Sequence, residues 1–186
     1  MGEKPHTEAV GNLTHLFSGK DYLSSLEMSS AQFLRSRSTE NSGRVHVAAV
    51  CYRMRDGEPE FLLVRTRNGH WTFPKGGVDQ DATHADAAAR EAYEEAGVKG
   101  SVEHLPFTSY RHCKPRRLGS RRHMIMVHAH LCQVKRLVSP PESYRDPRWF
   151  SPEEAKRRLQ KFRASELAAE VITVVDRATD RILGRR

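Results

Sequence analysis

The chain of 186 residues contains few cysteines: Cys51, Cys113 and Cys132, an odd number at wide spacing. That count excludes a disulfide framework and the paired spacing of a zinc site, and it points to reduced thiols. Long apolar runs are missing too. Nowhere do 18 apolar residues follow one another, and residues 1–20 lack the basic start and apolar stretch of a secretory signal. Neither a membrane span nor export is therefore expected, and the cytoplasm is the default compartment. Negative charge is scarce as well, with 23 Asp and Glu against 31 Lys and Arg and a formal net charge of +8. The excess implies an anionic partner, whether nucleic acid, membrane surface or polyphosphate, and the total alone does not choose among them.

The acid that is present is concentrated. Residues 76–97 hold six carboxylates (Asp79, Asp81, Asp86, Glu91, Glu94 and Glu95) and one base, Arg90, whereas residues 98–150 carry 11 bases against 3 acids. Clustered carboxylates in a basic surround suit a hard divalent cation bound together with a phosphate ligand.

The length fits one domain with extensions. Residues 1–43 are polar and broken by Gly11, Gly19 and Gly43. They read as an arm, partly disordered or docking a short helix through Leu13, Leu16 and Phe17. From Arg44 the pattern turns to β. Val45 to Tyr52, the turn at 55–59 and Phe61 to Val64 form an expected hairpin. Trp71-Thr72-Phe73 then runs into Pro74-Lys75-Gly76-Gly77, a loop signal. Further strands are expected at about 106–112 and 123–134, with a basic loop between them. Ser151-Pro152-Glu153-Glu154 starts a helix that continues to Phe162, and a second is expected from Ser165 to about Ile182. Its buried side would carry Leu167, Val171, Ile172, Val174 and Val175.

Another helix, over 83–96, carries the chemistry. Thr83 followed by Asp86 resembles a capping box, and Gly97 stands where a terminal glycine would end it. At about 100° per residue, Glu91, Glu94 and Glu95 share one arc, with Ala85, Ala89, Ala92, Tyr93 and Ala96 opposite. A solvated acidic face is the ordinary meaning of such a pattern. Two features oppose it here: glutamates at the C-terminal end, where the helix dipole disfavours anions, and no lysine four residues on.

The string Gly76-Gly77-Val78-Asp79-Gln80-Asp81-Ala82, seven residues, then Arg90-Glu91-Ala92-Tyr93-Glu94-Glu95-Ala96-Gly97-Val98 closely resembles the Nudix hydrolase signature, G-x5-E-x7-R-E-U-x-E-E-x-G-U. The flanks Trp71 to Lys75 and Arg148 to Ala155 are similar to the family's. The resemblance covers about 44–159 and implies an α/β fold, an α/β/α sandwich around a mixed sheet. It implies Mg²⁺- or Mn²⁺-dependent hydrolysis of a nucleoside diphosphate derivative or related polyphosphate. On this chain Glu91, Glu94 and Glu95 match the metal-binding glutamates, Arg90 orients their helix, and Gly76 and Gly77 form the loop. The signature's first glutamate falls on Ala82, with Asp79 or Asp81 as compensation. Glu142 and Asp146 are the candidates for a general base outside the helix. The expected organisation is an arm over 1–43, a hydrolase domain over 44–164 and a C-terminal helix over 165–186.

For the substrate, residues 111–122 hold Arg111, Lys114, Arg116, Arg117, Arg121 and Arg122 with no acid. Arginine forks match phosphate oxygens, so this loop is a candidate polyphosphate clamp, joined by Arg44, Arg65, Arg67 and Lys75. The wording of the motif is similar to the diphosphoinositol polyphosphate and diadenosine polyphosphate hydrolase branch. RNA 5′-end or damaged-nucleotide pyrophosphohydrolysis and a non-catalytic nucleotide-binding module are the alternatives, with nucleic acid a lesser partner. His128 and His130 share a strand face and read as packed residues, and Trp71 reads as core.

Overall fold

The computed structural model describes residues 45–114 and 123–185. Residues 1–44, and with them the expected arm and Arg44, lie outside that range, as do Arg116, Arg117, Arg121 and Arg122 of the basic loop.

The hairpin forms as expected. Strand β1 (His46–Arg55) and strand β2 (Glu58–Arg65) pair antiparallel. The two-residue turn Asp56-Gly57 has positive φ at both positions, which matches the twist of the flanking strands. Strand β3 (Trp71–Thr72) pairs with β2. The expected loop at 74–77 is instead partly a strand, β4 (Lys75–Gly77), which pairs antiparallel with the start of β1. Its backbone groups find partners on an open sheet edge, a tertiary effect that local turn propensity does not show.

Helix α1 (His84–Ala96) leads into strand β5 (Val98–Val102), which the sequence pattern did not disclose. Strands β6 (Thr108–Lys114) and β7 (His123–Leu137) form a second hairpin. A single 3-10 turn, Ser143–Arg145, precedes strand β8 (Arg148–Phe150), which pairs with β2. Helices α2 (Pro152–Gln160) and α3 (Ser165–Ile182) close the described chain.

The central order is β3-β2-β1-β7-β5, with β1 and β7 parallel and the remaining pairs antiparallel. Strand alternation divides the core. Val47, Ala49, Cys51, Leu62 and Val64 face α1, where Ala87, Ala88, Ala92 and Ala96 meet them. Ala48, Val50, Phe61 and Leu63 face the other way and pack with Tyr110, Leu159, Val171, Val174 and Val175 under α2 and α3. A period of two sends neighbours to opposite faces, so the short hydrophobic runs of β1 and β2 are covered on both sides. On α3, Ala178 is buried while Leu167 and Ile172 are only half-buried. Ion pairs Arg111–Glu170 (2.5 Å) and Lys156–Asp176 (3.0 Å) tie that helix to β6 and α2.

Candidate active site

Local chemistry sets both ends of α1. The Thr83 hydroxyl accepts the Asp86 N–H at 3.1 Å and donates to the Asp86 carboxylate at 2.7 Å. Gly97 ends the helix at φ 66°, its N–H bonded to the Tyr93 carbonyl at 2.9 Å. A side chain there would strain the backbone and also collide with the Val138 carbonyl. The close approach lets the Val138 N–H bond to the Gly97 carbonyl at 2.9 Å, so the chain leaving β7 crosses the end of the carboxylate helix. A few residues on, the Glu142 N–H bonds to the Glu94 carbonyl at 3.1 Å.

The helix is rotated relative to the sequence expectation. Ala87 and Ala88 pack on the sheet with Ala92 and Ala96, whereas Ala89 and Tyr93 are exposed. The three glutamates consequently do not share one environment. Glu95 is buried at 4% exposure. Its carboxylate accepts the Lys75 N–H at 3.2 Å and is ion-paired with Arg145. Burial pushes Glu95 up to about 7, against the opposing pull of Lys75 and Arg145. Lys75 is displaced the other way, to about 8, chiefly by burial and despite the Glu95 charge.

Glu91 is half-buried and lies against the glycine loop. A Cβ on Gly76 would land on the Glu91 carboxylate, so the glycine leaves the space this group occupies. Burial first, and the Glu94 charge second, raise Glu91 above the usual carboxylate range. Arg90 stands 3.7 Å from Glu91, but its stronger bonds run to Asp79 (2.6 Å) and the Gly77 carbonyl (3.0 Å). Of the two acids offered as substitutes for the missing signature glutamate, Asp79 is therefore the one that holds Arg90.

Glu142 reaches the site, but its carboxylate is engaged by Tyr144 (2.7 Å) and Arg145 (2.5 Å). Burial acts to raise it, yet these hydrogen bonds and the charges of Arg145 and Arg67 win and hold it below the ordinary range. Asp146 pairs with Arg148 (3.1 Å) and Arg65 (3.5 Å). Arg65 also lies over the Trp71 ring at 4.8 Å, and Arg67 over Tyr144 at 5.3 Å. Together Arg65, Thr66, Arg67, Gly69 and Tyr144 line an open cleft of about 490 Å³. Trp71 is buried at 8% exposure. His128 is hydrogen-bonded to Ser109 and His130 to the Glu103 carbonyl, each at 2.9 Å.

Sequence reasoning missed Arg145, the residue that joins Glu95 to Glu142. Its only linear signal is its place three residues after an acid in a segment rich in proline.

Among the described residues no three acids, histidines or cysteines stand at metal-ligand spacing as they are. The donor chemistry fits a hard divalent cation nonetheless. Glu91 and Glu95 lie against the glycine loop, burial and the Glu94 charge raise Glu91, and a guanidinium supplies positive charge to Glu95, as a bound cation would.

Helices cover both faces of a mixed sheet, with the carboxylate helix on one of them, so the architecture is an α/β/α sandwich. A model of the NUDIX domain matches residues 44–171, and the chain belongs to the Nudix family. It is similar to Nudix hydrolase 12, mitochondrial, of Arabidopsis thaliana, at 54% identity over 48 residues, 25% of this chain and 24% of that protein. It is also similar to diphosphoinositol polyphosphate phosphohydrolase 2 of Rattus norvegicus, at 39% identity over 74 residues, 38% of this chain and 41% of that one. The matches thus span less than half the length of these relatives. Among solved structures, a C. elegans Ap4A hydrolase binary complex aligns with a TM-score of 0.53 and 21% identity over 76% of this chain and 98% of that one, a likeness of fold. No described helix is long and apolar enough to cross a membrane.

Proposed function

We propose that residues 44–164, with 165–186 docked on them, form a Mg²⁺- or Mn²⁺-dependent cytoplasmic hydrolase. It cleaves a phosphoanhydride bond in a nucleoside diphosphate derivative or a polyphosphate such as a dinucleoside polyphosphate or inositol pyrophosphate. The observation that carries this reading is the placing of Glu91 against Gly76 and of Glu95 on the Lys75 N–H, with the Glu94 charge acting on Glu91 and Arg145 compensating the most buried of the three. Glu91, Glu94 and Glu95 are the residues that would hold the cation. When bound, such a cation neutralises diphosphate oxygens and favours ionisation of a water molecule.

The remaining work falls to the chain. Gly76 and Gly77 admit the diphosphate close to the backbone, and Arg65, Arg67 and Lys75 supply positive charge on its approach. Arg90, held by Asp79, fixes the loop to the helix. The Glu142 carboxylate is engaged by Tyr144 and Arg145 and held below the ordinary range, which makes it a poor acceptor for the proton of an attacking water and leaves that role to the carboxylate helix, with Glu94 or Glu95. Glu142 and Arg145 hold the crossing loop on the helix. Arginines 116, 117, 121 and 122, outside the described residues, belong to the proposed clamp.

The test is a substrate panel of dinucleoside polyphosphates, nucleoside diphosphate sugars and inositol pyrophosphates, assayed with Mg²⁺ for wild type and Glu94→Gln. Hydrolysis by wild type with a loss of at least about a hundredfold in the variant is expected. Equal turnover by both proteins would remove the assigned site.

A further inference from the structure

Two of the three cysteines meet beneath the carboxylate helix. Strands β1 and β7 run parallel in a register that sets Cys51 beside Cys132. Neighbouring strands stand about 4.8 Å apart, inside the Cα separation of about 4.4–6.8 Å that a disulfide spans. Both side chains belong to the buried cluster under α1, with Ala88, Ala92 and Ala96. A hydrogen bond from the Cys51 S–H to the Cys132 sulfur holds the Cys132 thiol below the ordinary thiol range, against the effect of burial, and pushes Cys51 above it. Cys113 stands elsewhere, on β6 opposite Met124.

The two thiols differ in access. Cys51 is fully buried, whereas Cys132, although only 1% exposed, lines a cavity of about 270 Å³ together with Tyr93, Lys99, Gly100 and Val102. Strand β5 is what covers it, and that cover is weak. The strand ends the central order of the sheet, and its pairing with β7 shifts register between Lys99 and Gly100. Lys99, Gly100 and Ser101 are exposed. Gly100 also lays no side chain over the sulfur: a Cβ there would stand 3.2 Å from Cys132 Sγ. An irregular edge strand opens at lower cost than the centre of a sheet, so a small solute reaches Cys132 before Cys51.

We propose that Cys132 and Cys51 are a peroxide-reactive pair: Cys132 takes the oxidant, and Cys51 resolves it by closing a reversible disulfide between β1 and β7. The Cys132 sulfur attacks one oxygen of hydrogen peroxide. The O–O bond breaks, an S–O bond forms and water leaves, so the sulfur is oxidised to a sulfenic acid while the peroxide is reduced. The Cys51 sulfur then attacks the Cys132 sulfur, the S–O bond breaks, and the hydroxyl departs with the Cys51 proton as a second water. A dithiol reductant restores both thiols. In a reducing compartment such a disulfide is transient, in keeping with the reduced state expected from the cysteine count.

The experiment treats the folded full chain carrying Cys113→Ser with hydrogen peroxide, blocks the remaining thiols with iodoacetamide and maps the peptides by mass without reductant. A linked Cys51–Cys132 peptide is expected, lighter than its two parts by two hydrogen atoms and lost on treatment with dithiothreitol. This readout needs no substitution in the core. In the same background, Cys51→Ala should leave the sulfenic acid on Cys132, where dimedone traps it, and Cys132→Ala should leave Cys51 reduced. Dimedone adducts or sulfinic acid on Cys132 beside a free Cys51 would overturn the pair. So would survival of both thiols at a peroxide dose that oxidises Cys113 in wild type. Oxidation of Cys51 in Cys132→Ala would overturn the order of attack.

Discussion

The two faces of the central sheet are built from different materials. Against α1 the core is thin: four alanines of the helix meet Val47, Ala49 and Cys51. Against α2 and α3 it is thick, with Phe61, Phe73, Tyr110 and Leu159 among its fully buried side chains. Small residues bring a helix close to its sheet, so on the α1 face the buried Glu95 can take the Lys75 N–H. Bulky residues fill the other face, and a 460 Å³ cavity opens beside the α2–α3 connection. Chemistry is proposed for the thin face, and the thick one carries the bulky packing. Stability should therefore depend on charge on one side and on volume on the other.

Substitutions sharpen that contrast. Arg145→Gln leaves Glu95 buried with a single backbone donor, and breaking a buried pair of this kind costs about 3–5 kcal/mol. Denaturant unfolding should show that loss without metal and recover part of it in Mn²⁺, which replaces the missing positive charge. Leu159→Ala on the thick face should cost about 2–5 kcal/mol through its cavity. Mn²⁺ should recover none of it. Equal metal rescue of both variants would erase the distinction.

A pH effect of smaller size follows from Glu95. Its folded pKa, about 7, exceeds the ordinary glutamate value of 4.5, so between those values the native state binds more protons than the unfolded chain. Its contribution to stability must then fall as pH rises from 4.5 toward 7, by something on the order of 1–2 kcal/mol. His128 and His130, lowered by burial, act in the opposite sense as pH rises toward 6.5. The measurement is accordingly a difference: Glu95→Gln should gain relative to wild type across that window, and parallel pH curves would refute the assignment. Least affected should be the position of the signature's absent glutamate. Arg90 already holds Asp79 and the Gly77 carbonyl. Ala82→Glu should therefore change unfolding stability by less than about 0.5 kcal/mol, while Asp79→Ala, removing a partly exposed pair, should cost up to about 1 kcal/mol.

Much of this was legible in linear patterns because its causes are local. The β1–β2 hairpin, the Thr83 and Gly97 ends of α1 and the Ser151-Pro152 start of α2 depend on neighbouring residues. Strands β4, β5 and β8 escaped because three to five residues carry too little periodicity and depend on partners far along the chain. The facing of α1 misled for another reason. Alanine is tolerated on either side of a helix, so Ala85 and Ala89 could not be told from Ala87 and Ala88, and the burial of Glu95 went unseen. Its partner Arg145 lies fifty positions on, across three strands, and only the crossing of the Gly97 cap brings it back.

The most direct test of the central claim is Mn²⁺ binding, read as loss of the free-ion electron paramagnetic resonance signal, in wild type and in Glu91→Gln/Glu94→Gln. Wild type should bind the ion, and the double variant should bind it at least about tenfold more weakly. Equal affinity in the two proteins would contradict the assignment of this helix as the cation site.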